Sequence, residues 1–369
     1  MKLRSAALAS AFVVAQLMTP EGTPITPPAP LAFKPVVEQV IDRVIVPSYT
    51  QLSDAAAATT EAMAALCASP GDAALAAARA QFSDLAIAWS GVEMFRIGPA
   101  RADNRYERMF FWPDRKGLGL RQVQAIISEE DATATDVDSL RAKSVAVQGL
   151  LALEYVLFGT GSETLATAPA ASFRCRYGAT VAGAIAATAG EMLADWTSPD
   201  GYASVMRTAG PDDPVYRSHG EVVQDVLRSA RELIQLDRDI KIARPVGDSP
   251  EAAVPTQAPF WRSDMTIPTI RANLAAVTRI VRDGGIGDLM PKGADWMGPS
   301  LAFELSSVDS ALGRIASAGR PWADIVKDAD GHETLAYTLI PLGSAFDILE
   351  QRMPVALGLT IGFNTLDGD

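Results

Sequence analysis

Residues 72–95 read DAALAAARAQFSDLAIAWSGVEMF, and this stretch decides the fold class. Alanine loses little conformational freedom in a helix, so an alanine-rich run of this length favours helix over strand. Pro70 and Gly71 precede it and Gly98 and Pro99 follow it, residues that ordinarily bracket a helix, which predicts one helix from about Asp72 to Phe95.

The same pattern continues in both directions. Upstream, Val36, Val37, Val40, Ile41 and Val44 recur at helical spacing, followed after Pro47 by Leu52, Ala56 and Met63, with Pro47 expected to end or kink the helix. Downstream, the aromatic, charged stretch from Arg101 to Gly119 reads as a structured connection. Helical pattern then fits Leu120 to Ile127, Val137 to Phe158, Ser172 to Trp196 and Glu221 to Ile242. A linker with four prolines, Arg244 to Pro259, comes next, and helices are expected again over Thr266 to Ile280, Leu301 to Ala318, His332 to Glu350 and briefly from Val355. Nowhere do Val, Ile and Thr alternate between turn signals as strand pairing demands. The expected class is therefore all-α, helix packed on helix.

At 369 residues the chain exceeds what one core usually organises, which favours two domains. The expected division is an export signal and Pro-rich lead-in over 1–30, a first helical unit over 31–200 and a second over 201–369. Lys2 and Arg4 followed by the uncharged, mostly apolar run Ser5 to Met18 have the form of a signal peptide, too short to span a bilayer. The expected location is periplasmic, with no transmembrane segment in the mature chain. No cysteine stands near the signal to carry a lipid anchor. With 44 acidic and 32 basic residues the net charge is −12, which argues against a nucleic-acid partner. Cys67 and Cys175 are the only cysteines: in an oxidising compartment they form one bridge closing a long loop, or they stay as two buried thiols.

Three segments, in order, resemble the imelysin-like proteins. They are residues 89–117, from Trp89-Ser90-Gly91-Val92-Glu93-Met94-Phe95-Arg96 through Arg105 to Phe111-Trp112-Pro113-Asp114-Arg115-Lys116-Gly117; residues 148–159, QGLLALEYVLFG; and residues 357–369, LGLTIGFNTLDGD. The resemblance implies two similar four-helix-bundle domains with a functional site where they meet, export, and an association with bacterial iron uptake. It also implies a metallopeptidase assignment that rests on a GxHxxE motif. Gly149 and Glu154 occupy the glycine and glutamate positions, but Leu151 occupies the histidine position, and leucine offers neither a lone pair for a metal nor a proton to exchange.

Glu154 lies in an almost wholly apolar run, Leu150 to Leu157, so its carboxylate needs a partner. Arg96, Arg105 and Arg108 are the candidates; the alternative is a contact to ligand. Glu93 stands three residues before Arg96, so it either forms a local ion pair or, with Glu154, offers oxygen to a hard cation such as ferric iron. Asp367, with Asn364 and Asp369, either caps a helix or brings a carboxylate near the interface. The candidate ligand-binding set is thus Glu93, Arg96, Arg105, Glu154 and Asp367, with Glu93 and Glu154 as candidate metal ligands.

Phe111, Trp112 and Pro113 read as core and turn residues, and Asp114, Arg115 and Lys116 as a solvated turn. His219 reads as a cap or solvent-facing residue and His332 as structural. No Gly-x-Ser-x-Gly elbow, HExxH, phosphate loop or dinucleotide fingerprint is present. The sequence therefore points to an exported accessory protein handling iron, another di- or trivalent metal, haem or an iron chelate; a metallopeptidase or an envelope scaffold with a protein partner are the alternatives.

Overall fold

The computed structural model describes residues 24–359. The expected export signal, Lys2 to Met18, lies outside the described residues, as do Asn364, Asp367 and Asp369. Among the described residues every regular element is helical and no β-strand occurs, as the alanine-rich and 3.6-periodic pattern requires.

Helix α1 (Phe33–Gln39) runs through a π-helical stretch, Val40–Ile45, into α2 (Val46–Ala68). Pro47 does not end the helix: it follows directly on the widened turn, in which the Val46 N–H reaches back to the Ile41 carbonyl. Helix α3 (Asp72–Ser90) stops five residues short of the expected Phe95, because Gly91 to Met94 leave the helix as turns. Short helices α4 (Arg105–Met109), α5 (Leu118–Glu129) and α6 (Val137–Arg141) follow.

The expected single helix over Val137 to Phe158 is broken in two. The Gln148 side-chain amide donates to the carbonyls of Lys143 at 2.8 Å and Ser144 at 3.2 Å, fixing a non-helical connection, and α7 begins only at Leu150 (Leu150–Phe158). Helix α8 (Phe173–Thr197) then packs along α2 and α7.

After α9 (Tyr202–Arg207), α10 (His219–Gln235) passes through a second π-helical stretch, Leu236–Ala243, into the one-turn α11 (Arg244–Val246). Helices α12 (Thr266–Arg282), α13 (Met297–Ala316), α14 (Trp322–Ile325), α15 (Ala329–Asp347) and α16 (Met353–Ala356) complete the fold. Two packing groups result, one of α2, α3, α7 and α8 and one of α10, α12, α13 and α15, and one continuous apolar core runs through both. Helix α1 packs on α9 and on α10 of the second group, and α3 packs on α12 across the join.

Cys67 and Cys175 are bonded, with their Cα atoms 5.5 Å apart, so α2 and α8 are stapled across 108 residues of sequence. This settles the two open readings of the cysteines in favour of the bridge.

Candidate functional site

The site begins with Gly149, at the entrance to α7. A Cβ there would stand 2.5 Å from the Met109 carbonyl oxygen and against that of Arg108, so only glycine lets α7 start in the shadow of α4. Its glycine thus has a packing reason that owes nothing to chemistry. From this start, α7 buries Leu150, Leu153, Val156 and Leu157 and carries Leu151, Glu154 and Tyr155 to the wall of a cleft of about 770 Å³.

Glu154 is fully buried. Its Oε1 accepts three hydrogen bonds from one loop: the backbone N–H groups of Arg262 and Ser263, each at 3.1 Å, and the Ser263 hydroxyl at 2.9 Å. Its Oε2 accepts none and lies 4.0 Å from the Arg262 guanidinium. Burial pushes the carboxyl above the usual carboxylate range, while Arg262 and the Ser263 bonds pull the other way. None of Arg96, Arg105 or Arg108 is its partner. Glu154 instead clamps the loop before α12 to α7, joining the two packing groups at the cleft.

The other expected site residues lie elsewhere. Glu93, in the turn after α3, is 2% exposed and accepts from Lys241 Nζ at 2.7 Å and Asn273 Nδ2 at 3.0 Å, so its charge is answered by an ammonium rather than by Arg96. Arg96 lies over the Tyr106 ring, 3.9 Å from its centre, and donates to the Tyr106 hydroxyl. Arg105 pairs with Asp195 at 2.5 Å and Glu191 at 3.3 Å, and Arg108 donates to Gln148 and to the Asp103 and Arg141 carbonyls. Of the four candidates within the described residues, only Glu154 lines the cleft.

The remaining walls come from segments the sequence marked as turn and linker. The 111–117 segment supplies Trp112 and Arg115, and Asp114, whose two carboxylate oxygens accept from the Leu118 and Gly119 N–H groups at 2.8 Å. The expected linker, Arg244 to Pro259, supplies Arg244 and Pro259, and the residues directly after it supply Phe260, Trp261 and Arg262. What reads as a proline-rich linker is a folded wall, its Val254 N–H bonded to the Pro245 carbonyl at 2.8 Å. The signal for it was the cluster Phe260-Trp261-Arg262 at the linker's end, too apolar and aromatic for a free connection. His219 and His332 take no part: their Nε2 atoms face the carbonyls of Arg207 at 3.0 Å and Gly247 at 3.3 Å.

A resident metal does not fit these residues. Leu151 has no donor atom, Oε1 of Glu154 is saturated by three donors, and Oε2 sits beside a cation. Among the described residues no three His, Cys, Asp or Glu side chains gather as a metal site requires.

The all-helical fold is that of imelysin-like proteins. The sequence profile of that family, Imelysin (peptidase M75), matches residues 45–342, and the chain belongs to it. Over 254 residues the chain is 25% identical to the iron-regulated protein A of Synechococcus elongatus, the match taking in 67% of this chain and 63% of that protein. The chain thus spans less than two thirds of the length of the curated relative it matches. In fold it is similar to an imelysin-like protein from Psychrobacter arcticum, with a TM-score of 0.75 at 19% identity over 91% of this chain and 98% of that one. It is likewise similar to a putative iron-regulated protein A precursor from Parabacteroides distasonis, with a TM-score of 0.73 at 16% identity over 89% and 96% of the two chains.

Proposed function

We propose that this chain is an exported binding protein that serves iron handling in the periplasm, taking its ligand in the cleft beside Glu154, and that it does not hydrolyse peptides. The observation that carries this reading is the state of Glu154: one oxygen is committed to holding the cleft together, and the other faces Arg262 with no hydrogen-bond donor. A carboxylate so occupied, next to a leucine, cannot activate water on a metal. It can form the polar floor of a binding site whose shape it also maintains.

Export is supported by the Cys67–Cys175 bond, which persists in oxidising compartments, and by the charged and apolar pattern of residues 2–18. No helix among the described residues is long and apolar enough to cross a membrane. The iron association is supported by family membership and by the likeness to iron-regulated protein A. The division into 31–200 and 201–369, with the cleft at their join, remains part of the proposal.

The test is calorimetric titration of the purified chain with ferric citrate, haemin and a ferric catecholate, beside peptidase assays with and without zinc. Saturable binding of an iron species that is lost in Glu154→Ala, with no proteolysis, is the expected result. Proteolysis abolished by Glu154→Gln would overturn the proposal, as would indifference to all three iron compounds.

A further inference from the structure

The charge of the cleft runs against the charge of the protein. The chain carries −12 overall, yet Arg115, Arg244 and Arg262 all line this one cavity. Arg115 and Arg244 are exposed and form no hydrogen bond or ion pair among the described residues. Elsewhere in the same chain arginines are routinely paired, as Arg105, Arg141, Arg207 and Arg271 show. The acidic groups of the cleft do not answer them: Asp114 is spent on two backbone N–H groups, and Oε1 of Glu154 is spent on the 262–263 loop.

Between these guanidinium groups the walls are aromatic. Arg262 lies 4.4 Å from the centre of the Trp261 ring and 5.7 Å from that of Tyr155, and Trp112 and Phe260 each stack on Phe110, at 5.9 Å and 5.2 Å. Guanidinium groups recognise carboxylate or phosphate through paired N–H donors, and aromatic walls favour a flat, polarisable body. A bare metal cation meets guanidinium groups here, and the Glu154 oxygen that accepts no hydrogen bond is buried beside Arg262.

We propose that the cleft is a site for a planar aromatic anion, held by Arg115 and Arg244 at its charged end and by Trp112, Trp261 and the Arg262 face along its body. This deepens the binding role proposed above and rests on it: iron enters this cleft already wrapped in an anionic, aromatic chelator rather than as a free ion. Because the chain as a whole carries −12, the attraction of such an anion to this opening is local, and its association slows as salt is raised.

The test uses 2,3-dihydroxybenzoate, its ferric complex, neutral catechol and citrate, followed by quenching of tryptophan fluorescence and by calorimetry on the full chain. The aromatic anion is expected to bind saturably, and catechol and citrate each at least about tenfold more weakly. Arg115→Gln and Arg244→Gln, which remove no hydrogen bond or ion pair among the described residues, are each expected to weaken the aromatic anion by about tenfold while leaving the thermal midpoint unchanged. Neutral catechol binding as well as the benzoate, or undiminished binding in the Arg115→Gln/Arg244→Gln double variant, would overturn the inference and leave the iron-binding role standing. Binding of the iron-free anion with no binding of its ferric complex would support the inference and overturn the iron role.

Discussion

Lys241 Nζ donates to Glu93 Oε2 at 2.7 Å, across 148 residues of sequence and with both side chains at most 2% exposed. The same ammonium stands 2.9 Å from Asp237 Oδ1 and donates to Asn273 Oδ1 at 2.8 Å, so one cation serves two buried carboxylates at the join between α3, α12 and the π-helical stretch 236–243. Lys241→Met is expected to cost about 3–5 kcal/mol, because it strands two carboxylates in an apolar core. Denaturant unfolding measures this, and adding Glu93→Gln and Asp237→Asn should return much of the loss. A cost below about 1 kcal/mol would show that water reaches the cluster.

The same cluster gives a pH signature. Burial, reinforced by Glu93 and opposed by Lys241, raises the Asp237 carboxyl from 3.8 to about 7. Between those values the native chain holds a proton that the unfolded chain has released, so this group's contribution to stability falls as pH rises through the window and is flat above it. Asp237→Asn removes that contribution. The wild-type-minus-variant difference in unfolding free energy should therefore decline from about pH 4 to about pH 7, and a flat difference over that range would contradict the assignment.

The bond between Cys67 and Cys175 closes a loop of over a hundred residues. Replacing both by serine is expected to lower unfolding free energy by about 4 kcal/mol, chiefly by freeing the unfolded chain. Reducing agent should shift the wild-type denaturation midpoint to that of the double variant and leave the variant unmoved.

Gly149→Ala should destabilise by about 1–3 kcal/mol, since its methyl group meets the Arg108 and Met109 carbonyls, which are backbone and cannot step aside. Gly190→Ala is the control: a Cβ there meets nothing within 4 Å, and no loss of stability is expected. Thermal melts of the two variants side by side make the comparison.

Restoring the family's histidine offers a sharper test of the site. Leu151→His adds a nitrogen ligand three residues from Glu154, but Arg262 still holds a positive charge 4.0 Å from the free carboxylate oxygen. Zinc should therefore bind Leu151→His weakly and bind Leu151→His/Arg262→Gln at least about tenfold more tightly, as removal of that charge implies. Equal zinc affinity in both variants would show that Arg262 does not govern the carboxylate.

The helices were legible because their signal is local: alanine content and spacing mark α2 and the start of α3, and mark α8 and α12 nearly to their ends. The break before α7 was not, because it depends on where the Gln148 amide finds its carbonyls and on the closeness of α4 to Gly149. Of the site, the burial of Glu154 could be read from its apolar neighbours. Its partners could not: an arginine side chain is the obvious answer to a buried carboxylate, whereas backbone N–H groups carry no mark in the sequence at all. Lys241 was hidden for a related reason, since it faces Glu93 only through the register of a π-helical stretch. Arg115 reads in sequence as part of a solvated turn and Arg244 only as the start of a linker, and it is the folding of these two segments around one cavity that puts both on its wall.

Glu154 is anchored to the loop of Arg262 and Ser263 before any ligand arrives. A chain built this way would need that side chain for its own architecture even after every use for a metal had vanished. The surviving half of an HxxE pair is then testimony to construction, and a hydrolase cannot be inferred from it.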